Sequence, residues 1–308
     1  RGIKLVDELR HSGDEDEKKT YDRDTVIYSD DLELSQEISL KSILGIMNSN
    51  LIHYYYSKAI SGQLNVFPEH IRTLPVHYDE SIHGRISKKV SAITEYQRQK
   101  NSLNLNLLDY LGIPSDDLPD SKAGDTLEEM QMPVAGVADT PLSETTADYE
   151  GLRIEGVSFA EDGGRVVLSV DVSYKVEEDD PRETDRWDRL AASEFETYEA
   201  MAFVGLSAAE ETLLREFVPV AVEDGDGFAG FRDNATKTNS PLDRLKALTL
   251  PDIDEVGAGL EQYVEVRERA DELEAKIEKT DALIDEIVYD LYGLTDEEIE
   301  IVEEAVGE

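Results

Sequence analysis

Three short stretches of this sequence hold residue types that could do chemistry. The first is the pattern G-x-G-x-x-G at Gly225, Gly227 and Gly230, after the strand-like VPVAV. In dinucleotide and S-adenosylmethionine sites such glycines let the backbone approach the ligand, and a helix must follow at once. Here FRDNATKTNSP follows, which is a poor helix start. We therefore interpret this stretch as a loop.

The other two stretches suggest metal chemistry but lack what it needs. Pro119, Asp120 and Lys122 imitate part of a metal-dependent nuclease motif, which also needs a second acid and a strand to fix the groups around Mg²⁺. A second set of possible ligands matches no zinc-protease spacing, and the chain has no cysteine: His77, Asp79, Glu80 and His83. A Ser-His-Asp triad cannot be inferred from spacing, because the fold assembles it. The sequence therefore predicts no catalytic site, no cofactor site and no metal site in this chain.

The charge of the chain is its strongest overall signal. It has 30 Lys and Arg against 70 Asp and Glu among 308 residues, a formal net charge of −40. Such a charge opposes compaction unless salt screens it, which favours a halophilic cytoplasm over an ordinary one. The lack of cysteine excludes a disulfide framework, and no apolar run reaches the length of a membrane span.

One part of the chain reverses this sign. Residues 111–308 hold 16 basic and 53 acidic side chains, whereas residues 38–108 hold eight basic and four acidic ones and four of the five histidines. Burial would explain missing acids, but it does not explain surplus Lys and Arg. We interpret residues 38–108 as a positive island that docks an anionic partner.

The elements that must position these residues follow from periodicity. Short strands are predicted at 1–10, 25–34 and 63–67, and helices at about 40–60 and 82–111. In the first helix Tyr54 and Tyr55 fall on the predicted core face, and Tyr56 points elsewhere. Residues 114–148 are rich in Pro, Gly, Ser, Thr and acid and indicate a linker.

The second half alternates strands and helices. LRIEGVSF and RVVLSVDVSYKV form a predicted hairpin around AEDGG, and RWDRLAASEFETYEAMAFV is predicted to be helical. Ser207 with Glu210 and Thr295 with Glu298 each form a capping box. A coiled-coil seam indicates a helix over 254–292: Val266, Ala270, Leu273, Ile277, Thr280, Ile284, Ile287 and Leu291.

The chain also contains an internal echo. TLP at 73–75 precedes a long predicted helix that ends in DYLGI, and TLP at 249–251 precedes one that ends in DLYGL. Two long helices of similar length can pair, which predicts that they are intramolecular spacers.

These residues resemble a known family. The string SLKSILGIMNSNLIHYYYSK, the aromatic Phe67 and HIRTLPV are similar to the C-terminal specificity region of adenine-specific restriction–modification DNA methyltransferases, which resembles the specificity subunits of type I systems. The second TLP and DEIVYDLYGLTDEEIEIVEEA resemble the tail of such proteins. The resemblance covers about residues 36–113 and 241–304.

The resemblance implies a function as well as an organisation. The family's Asn-Pro-Pro-Tyr motif and its glycine-rich cofactor loop do not occur here. The catalytic half is therefore expected to precede Arg1. That half would use S-adenosylmethionine as its cofactor, with or without a nuclease. This chain would bind double-stranded DNA and present it to that half. Residues expected to face DNA are Lys58, Gln63, Asn65, His70 and Arg72, together with Tyr56.

The expected fold is α+β: a recognition domain with a small mixed sheet, paired spacer helices and a second α+β lobe. The expected boundaries are 1–80 for the recognition domain, 81–113 for the first spacer helix, 114–148 for the linker, 149–240 for the second lobe and 241–308 for the long helix and its cap. A cytoplasmic monomer without membrane contact is expected.

Two rival functions remain open. In the first, the seam pairs with another chain and the positive island binds an acidic protein. In the second, the Gly225 loop makes the chain an enzyme that binds S-adenosylmethionine. Sedimentation tests the first rival, and calorimetric titration with the cofactor tests the second.

Overall fold

A computed structural model of the chain describes residues 39–59, 76–77, 79–114, 118–145, 148–177, 179–223 and 238–307. The chain divides into two units: residues 1–103 with 268–308, and the intervening residues 104–267. The three strands predicted before residue 70 lie outside the described residues, and so does the Gly225 loop.

The first unit is helical throughout its described part. It contains α1 (Leu40–Met47), α2 (Asn50–Ala59), α3 (Glu80–Asn101), the second half of α8 (Ile253–Tyr292) and α9 (Asp296–Gly307). Apolar residues at helical spacing on α1, α2, α3 and α8 meet in one core: Ile46, Ile52, Ile86, Val90, Ile284, Ile287 and Val288. The long helices α3 and α8 therefore contribute to one core, and Lys100 on α3 forms an ion pair with Glu274 on α8.

A glycine sets how closely α1 approaches its neighbours. Gly45 is buried, and a Cβ atom added to it would lie 2.5 Å from Ile86 Cγ2 and 2.9 Å from Val90 Cγ2. Real Cβ atoms do not approach carbon this closely, so a larger residue would push α1 away from α3. Gly45 thus fixes the distance between the two helices.

The first spacer helix is shorter than predicted. The sequence predicts one helix over 82–111, but α3 ends at Asn101 and a separate helix, α4 (Leu107–Leu111), follows in the second unit. Asparagines cause the break: Asn104 Oδ1 accepts from Asn106 N at 3.0 Å, and Asn106 Oδ1 accepts from Leu108 N at 3.2 Å and caps α4. By contrast, α8 runs unbroken for 40 residues.

The echoed strings DYLGI and DLYGL end their helices in the same way. Gly112 and Gly293 adopt left-handed φ values of 61° and 69°. The following residue then donates back across the last turn, from Ile113 N to Leu108 O at 2.9 Å and from Leu294 N to Tyr289 O at 3.1 Å. The TLP string at 249–251 forms a strand, and the one at 73–75 lies outside the described residues.

The second unit is built on two antiparallel sheets. β1 (Ala123–Thr126) pairs with β6 (Thr249–Pro251), and a four-stranded sheet has the order β2 (Gln131–Pro133), β5 (Glu196–Phe203), β4 (Arg165–Ser173), β3 (Arg153–Asp162). Helices α5 (Leu127–Met130), α6 (Ala208–Glu223) and α7 (Pro241–Ala247) complete it, and α6 packs on β3. The fold class is therefore α+β, as predicted, and every strand pair among the described residues is antiparallel.

The predicted linker needs correction. Residues 118–145 contain β1, α5, β2 and short 3-10 turns, and Leu127 and Leu142 are fully buried in the core of the second unit. Most of the acids of this segment are exposed, although Pro141 is buried and Gly124 lies within β1, and the few apolar residues are spaced too irregularly to show a period. This segment has the composition of a linker, but residues 118–145 are a folded part of the second unit.

The helix predicted around residues 186–204 is also wrong. Its second half is β5, which lies between β2 and β4 in the sheet. Ala200, Met201, Ala202 and Phe203 are all buried because neighbouring elements cover both faces of this strand. A fully covered strand shows no alternation, and its Glu, Ala and Met are helix formers.

Candidate nucleic-acid interface

Two of the six residues predicted to face DNA are described, and both lie on α2. Lys58 is exposed in the last turn, where its Nζ lies 5.8 Å from the centroid of the Tyr54 ring. Tyr56 is half-buried and its hydroxyl oxygen is inaccessible to solvent. Gln63, Asn65, His70 and Arg72 lie outside the described residues, so their placement stays a prediction.

The predicted roles of the three adjacent tyrosines need correction. Tyr55, predicted to be in the core, is the exposed one at 37%, whereas Tyr54 and Tyr56 are partly buried. Rotation by 100° per residue sends the three rings to three sides of α2, and the buried side is fixed by Ile52 rather than by Tyr55. Tyr56 therefore exposes less of its side chain than Tyr55, and its contact with DNA stays a prediction.

A buried carboxylate holds the start of α2. Asp285 on α8 accepts from Asn50 N at 2.8 Å and thus satisfies one of the unpaired N–H groups of the first turn. Burial raises the pKa of Asp285 to about 6. The hydrogen bond from Asn50 and the nearby His53 oppose this rise, whereas Asp281 and Glu303 add to it.

A basic surface lies where α1 crosses α3. Lys41 Nζ donates to Ser91 Oγ at 3.0 Å, and Ser39 Oγ lies 3.0 Å from Ser87 Oγ. Lys88 is one turn before Ser91 on the same side of α3. We call this surface the α1–α3 face; its exposed residues are Lys41, Leu44, Asn48 and Lys88, and Arg85 is exposed elsewhere on α3.

The α1–α3 face keeps its positive charge available. The described residues from 39 to 103 include seven basic and three acidic side chains. Arg98 is neutralised by Glu95 and Lys100 by Glu274. No carboxylate in the described ranges lies within ion-pair distance of Lys41, Arg85 or Lys88. These cations can therefore meet an external anion without first breaking an internal pair.

Sequence reasoning placed these three residues in the positive island but not among the DNA-facing residues. Lys41 and Lys88 come together only because α1 packs on α3. Helical spacing could have shown that Lys41, Leu44 and Asn48 share one exposed side of α1, away from the buried Ile46, but not that Lys88 lies beside them.

The candidate metal ligands serve structure instead. His83 is buried: its Nε2 donates to His77 O at 3.0 Å, and its Nδ1 lies 2.9 Å from Ser42 Oγ. Asp79 caps α3 by accepting from Ser81 N and Ile82 N, and the hydrogen bond from the Ser81 side chain holds the pKa of Asp79 below its usual value. Across the described residues, no three side chains of metal-binding type converge.

The nuclease-like fragment is also structural. Asp120 and Lys122 belong to a 3-10 turn before β1, and Lys122 Nζ donates to Leu111 O at the end of α4. This bond holds the Lys122 side chain at the end of α4.

None of the helices in the described ranges has an apolar stretch long enough to cross a bilayer. No protein-family model, no curated protein and no solved structure matches the chain.

Proposed function

We propose that this chain is the DNA target-recognition region of an adenine-specific restriction–modification methyltransferase that works in a halophilic cytoplasm. The catalytic half, which would bind S-adenosylmethionine, lies outside this chain. Any nuclease of the parent enzyme would belong to that half as well. The motifs quoted above carry the family assignment. The α1–α3 face is the observation that carries DNA binding.

The charge contrast supports this role. DNA attracts a surface whose cations are exposed and form no ion pair, and Lys41 and Lys88 meet both conditions on a chain of net charge −40. Lysine and arginine neutralise phosphates and fix the register of the protein on the duplex. The exposed amide of Asn48 can read an adenine edge, because Asn offers a donor and an acceptor side by side.

The main alternative is a coiled-coil module that pairs with another chain. The burial of the seam favours DNA recognition over this alternative, because Ala270, Leu273 and Ile277 are at most 9% exposed within the single chain. A seam that its own chain already covers has little apolar area left for a partner.

The proposal is tested by measuring DNA binding with the double variant Lys41→Ala/Lys88→Ala. Fluorescence anisotropy with a labelled duplex, selected from a randomised library, gives affinity from about 0.2 M to about 2 M KCl. Each phosphate contact contributes about 0.9 to the slope of log K against log[KCl], so losing two should reduce that slope by about 1.8.

The matched control is Lys276→Ala/Lys279→Ala. Both lysines are exposed on α8 among many acids, and the change in net charge is the same. The control should leave affinity and slope nearly unchanged. Equal losses in the two double variants, or selection without any enriched sequence, would contradict the proposal.

A further inference from the structure

The second lobe presents the chain's only tryptophan on a turn that is tightly constrained. Trp187 is 62% exposed, and the guanidinium carbon of Arg186 lies 4.9 Å from the centroid of its ring. Among the large apolar side chains in the described ranges, Trp187 is the most exposed. The structure around Trp187 shows how this one is held.

The turn is fixed by one carboxylate and by the backbone. Asp185 Oδ1 accepts from Trp187 N at 2.7 Å and from Arg189 N at 3.1 Å, and Asp185 N donates to Arg189 O at 2.7 Å. The hydrogen bond from Trp187 N is the main cause of the lowered pKa of Asp185. Trp187 is therefore held by the turn and not left on a free loop.

The turn also stores strain and is anchored in the lobe. Asp188 has a φ of 61°, and among the described residues it is the sole non-glycine with a positive φ. Leu190 follows the turn, is only 1% exposed and anchors the end of the turn in the core. The Arg189 side chain is largely buried, and its Nη1 lies 3.9 Å from Glu155 Oε1. Strain persists where surrounding structure over-determines it, and such places are often functional.

We propose that Trp187 and Arg186 form a stacking platform for an unpaired nucleobase of the bound DNA. This inference deepens the proposed function and rests on it. An indole face with a neighbouring guanidinium is the chemistry that proteins use to hold unstacked bases. Preorganisation by Asp185 and Leu190 lowers the entropy lost when the base binds.

The charge around the platform predicts an unusual salt dependence. Residues 179–189 hold five acidic and three basic side chains, so phosphates are repelled at low salt. Stacking itself is uncharged, and salt screens the repulsion. Contact with Trp187 should therefore strengthen with KCl, whereas contact with the α1–α3 face weakens.

The experiment uses the intrinsic fluorescence of Trp187, since no other tryptophan contributes. The full chain is titrated in about 2 M KCl with two labelled duplexes of one sequence, one fully matched and one with a central mismatched pair. Anisotropy of the label reports binding, and tryptophan emission in the same samples reports stacking. We expect emission to be quenched by the mismatched duplex along the same binding curve as the anisotropy.

Variants separate the platform from general binding. Trp187→Ala should weaken binding of the mismatched duplex about tenfold and change binding of the matched duplex little. Met132→Ala, which removes an exposed apolar side chain of the same lobe, is the control and should change neither.

The outcomes distinguish the two proposals. Anisotropy that rises with unchanged emission would overturn the stacking platform and leave DNA recognition standing. No anisotropy change with either duplex would overturn both.

Discussion

At the residue scale, Asp285 shows how a single carboxylate can set a pH response. It accepts from Asn50 N at the start of α2, faces the acids Asp281 and Glu303, and has a pKa of about 6 against an ordinary 3.8. Between these values the folded state binds more protons than the unfolded state. The contribution of Asp285 to stability should therefore be greatest below about pH 4 and should be lost as pH rises through about 6.

The first prediction concerns Asp285→Asn. The amide Oδ1 can still accept from Asn50 N, but it carries no charge to desolvate. We expect the variant to be more stable than the parent above pH 6 by about 1–2 kcal/mol, less than full linkage because the side chain is only half-buried. Urea unfolding at fixed KCl across pH 4–8 measures this.

Asp281→Asn, an exposed change on the same helix, is the control and should leave most of the pH slope in place. If Asp285→Asn keeps the slope of the parent between pH 4 and 6, another group is responsible for it.

At the element scale, the approach of α1 to α3 depends on Gly45. Gly45→Ala should destabilise the chain by about 1–3 kcal/mol, because the added methyl group overlaps Ile86 and Val90. Gly84→Ala on α3 is the matched control. It is exposed with nothing within 4 Å of the new Cβ, so it should stabilise α3 by about 0.5–1 kcal/mol.

Chemical unfolding of both variants at one salt concentration shows directly whether each substitution raises or lowers the free energy of unfolding. If both alanines shifted stability in the same direction, helix propensity rather than interhelical distance would explain the effect of Gly45→Ala on stability. DNA affinity of Gly45→Ala adds a second readout, since displacement of α1 would separate Lys41 from Lys88.

The elements that sequence predicted well are those with local chemistry. Both capping boxes form: Ser207 N donates to Glu210 Oε2 at 2.7 Å, and Thr295 N donates to Glu298 Oε2 at 2.8 Å. The predicted hairpin is present as β3 and β4, and the apolar seam marks α8. Each of these signals lies within a few residues of its partner.

What sequence could not predict depends on distant contacts. β5 is a strand because β2 and β4 cover its edges, and Leu127 is buried because a whole lobe surrounds it. Likewise the α1–α3 face joins Lys41 to Lys88 through packing at Gly45. No pattern along either helix shows that the two lysines will meet.

At the scale of the whole molecule, charge dominates. With 70 acidic side chains and a net charge of −40, repulsion acts across the entire surface. We expect the free energy of unfolding to rise from about 0.1 M to about 2 M KCl, because the Debye length falls from about 10 Å to below 3 Å.

Sucrose at equal osmolarity is the control, since it favours compact states without screening charge. Equal stabilisation by sucrose and KCl would show that exclusion from the surface, and not screening, is responsible. Guanidinium is unsuitable as the denaturant because it is itself a salt, so urea is used throughout.

The order of the chain has a consequence for its synthesis. The core of the first unit joins Ile86 and Val90 on α3 to Ile284 and Val288 on α8, 198 residues later, while the second unit is continuous in sequence. A ribosome adding roughly 5–20 residues per second would leave α1 and α3 without their partner helix for about 10–40 seconds. The lobe that carries Trp187 can therefore fold first. Until α8 is synthesised, the apolar faces of α1 and α3 stay uncovered, and we expect a chaperone to bind them during translation.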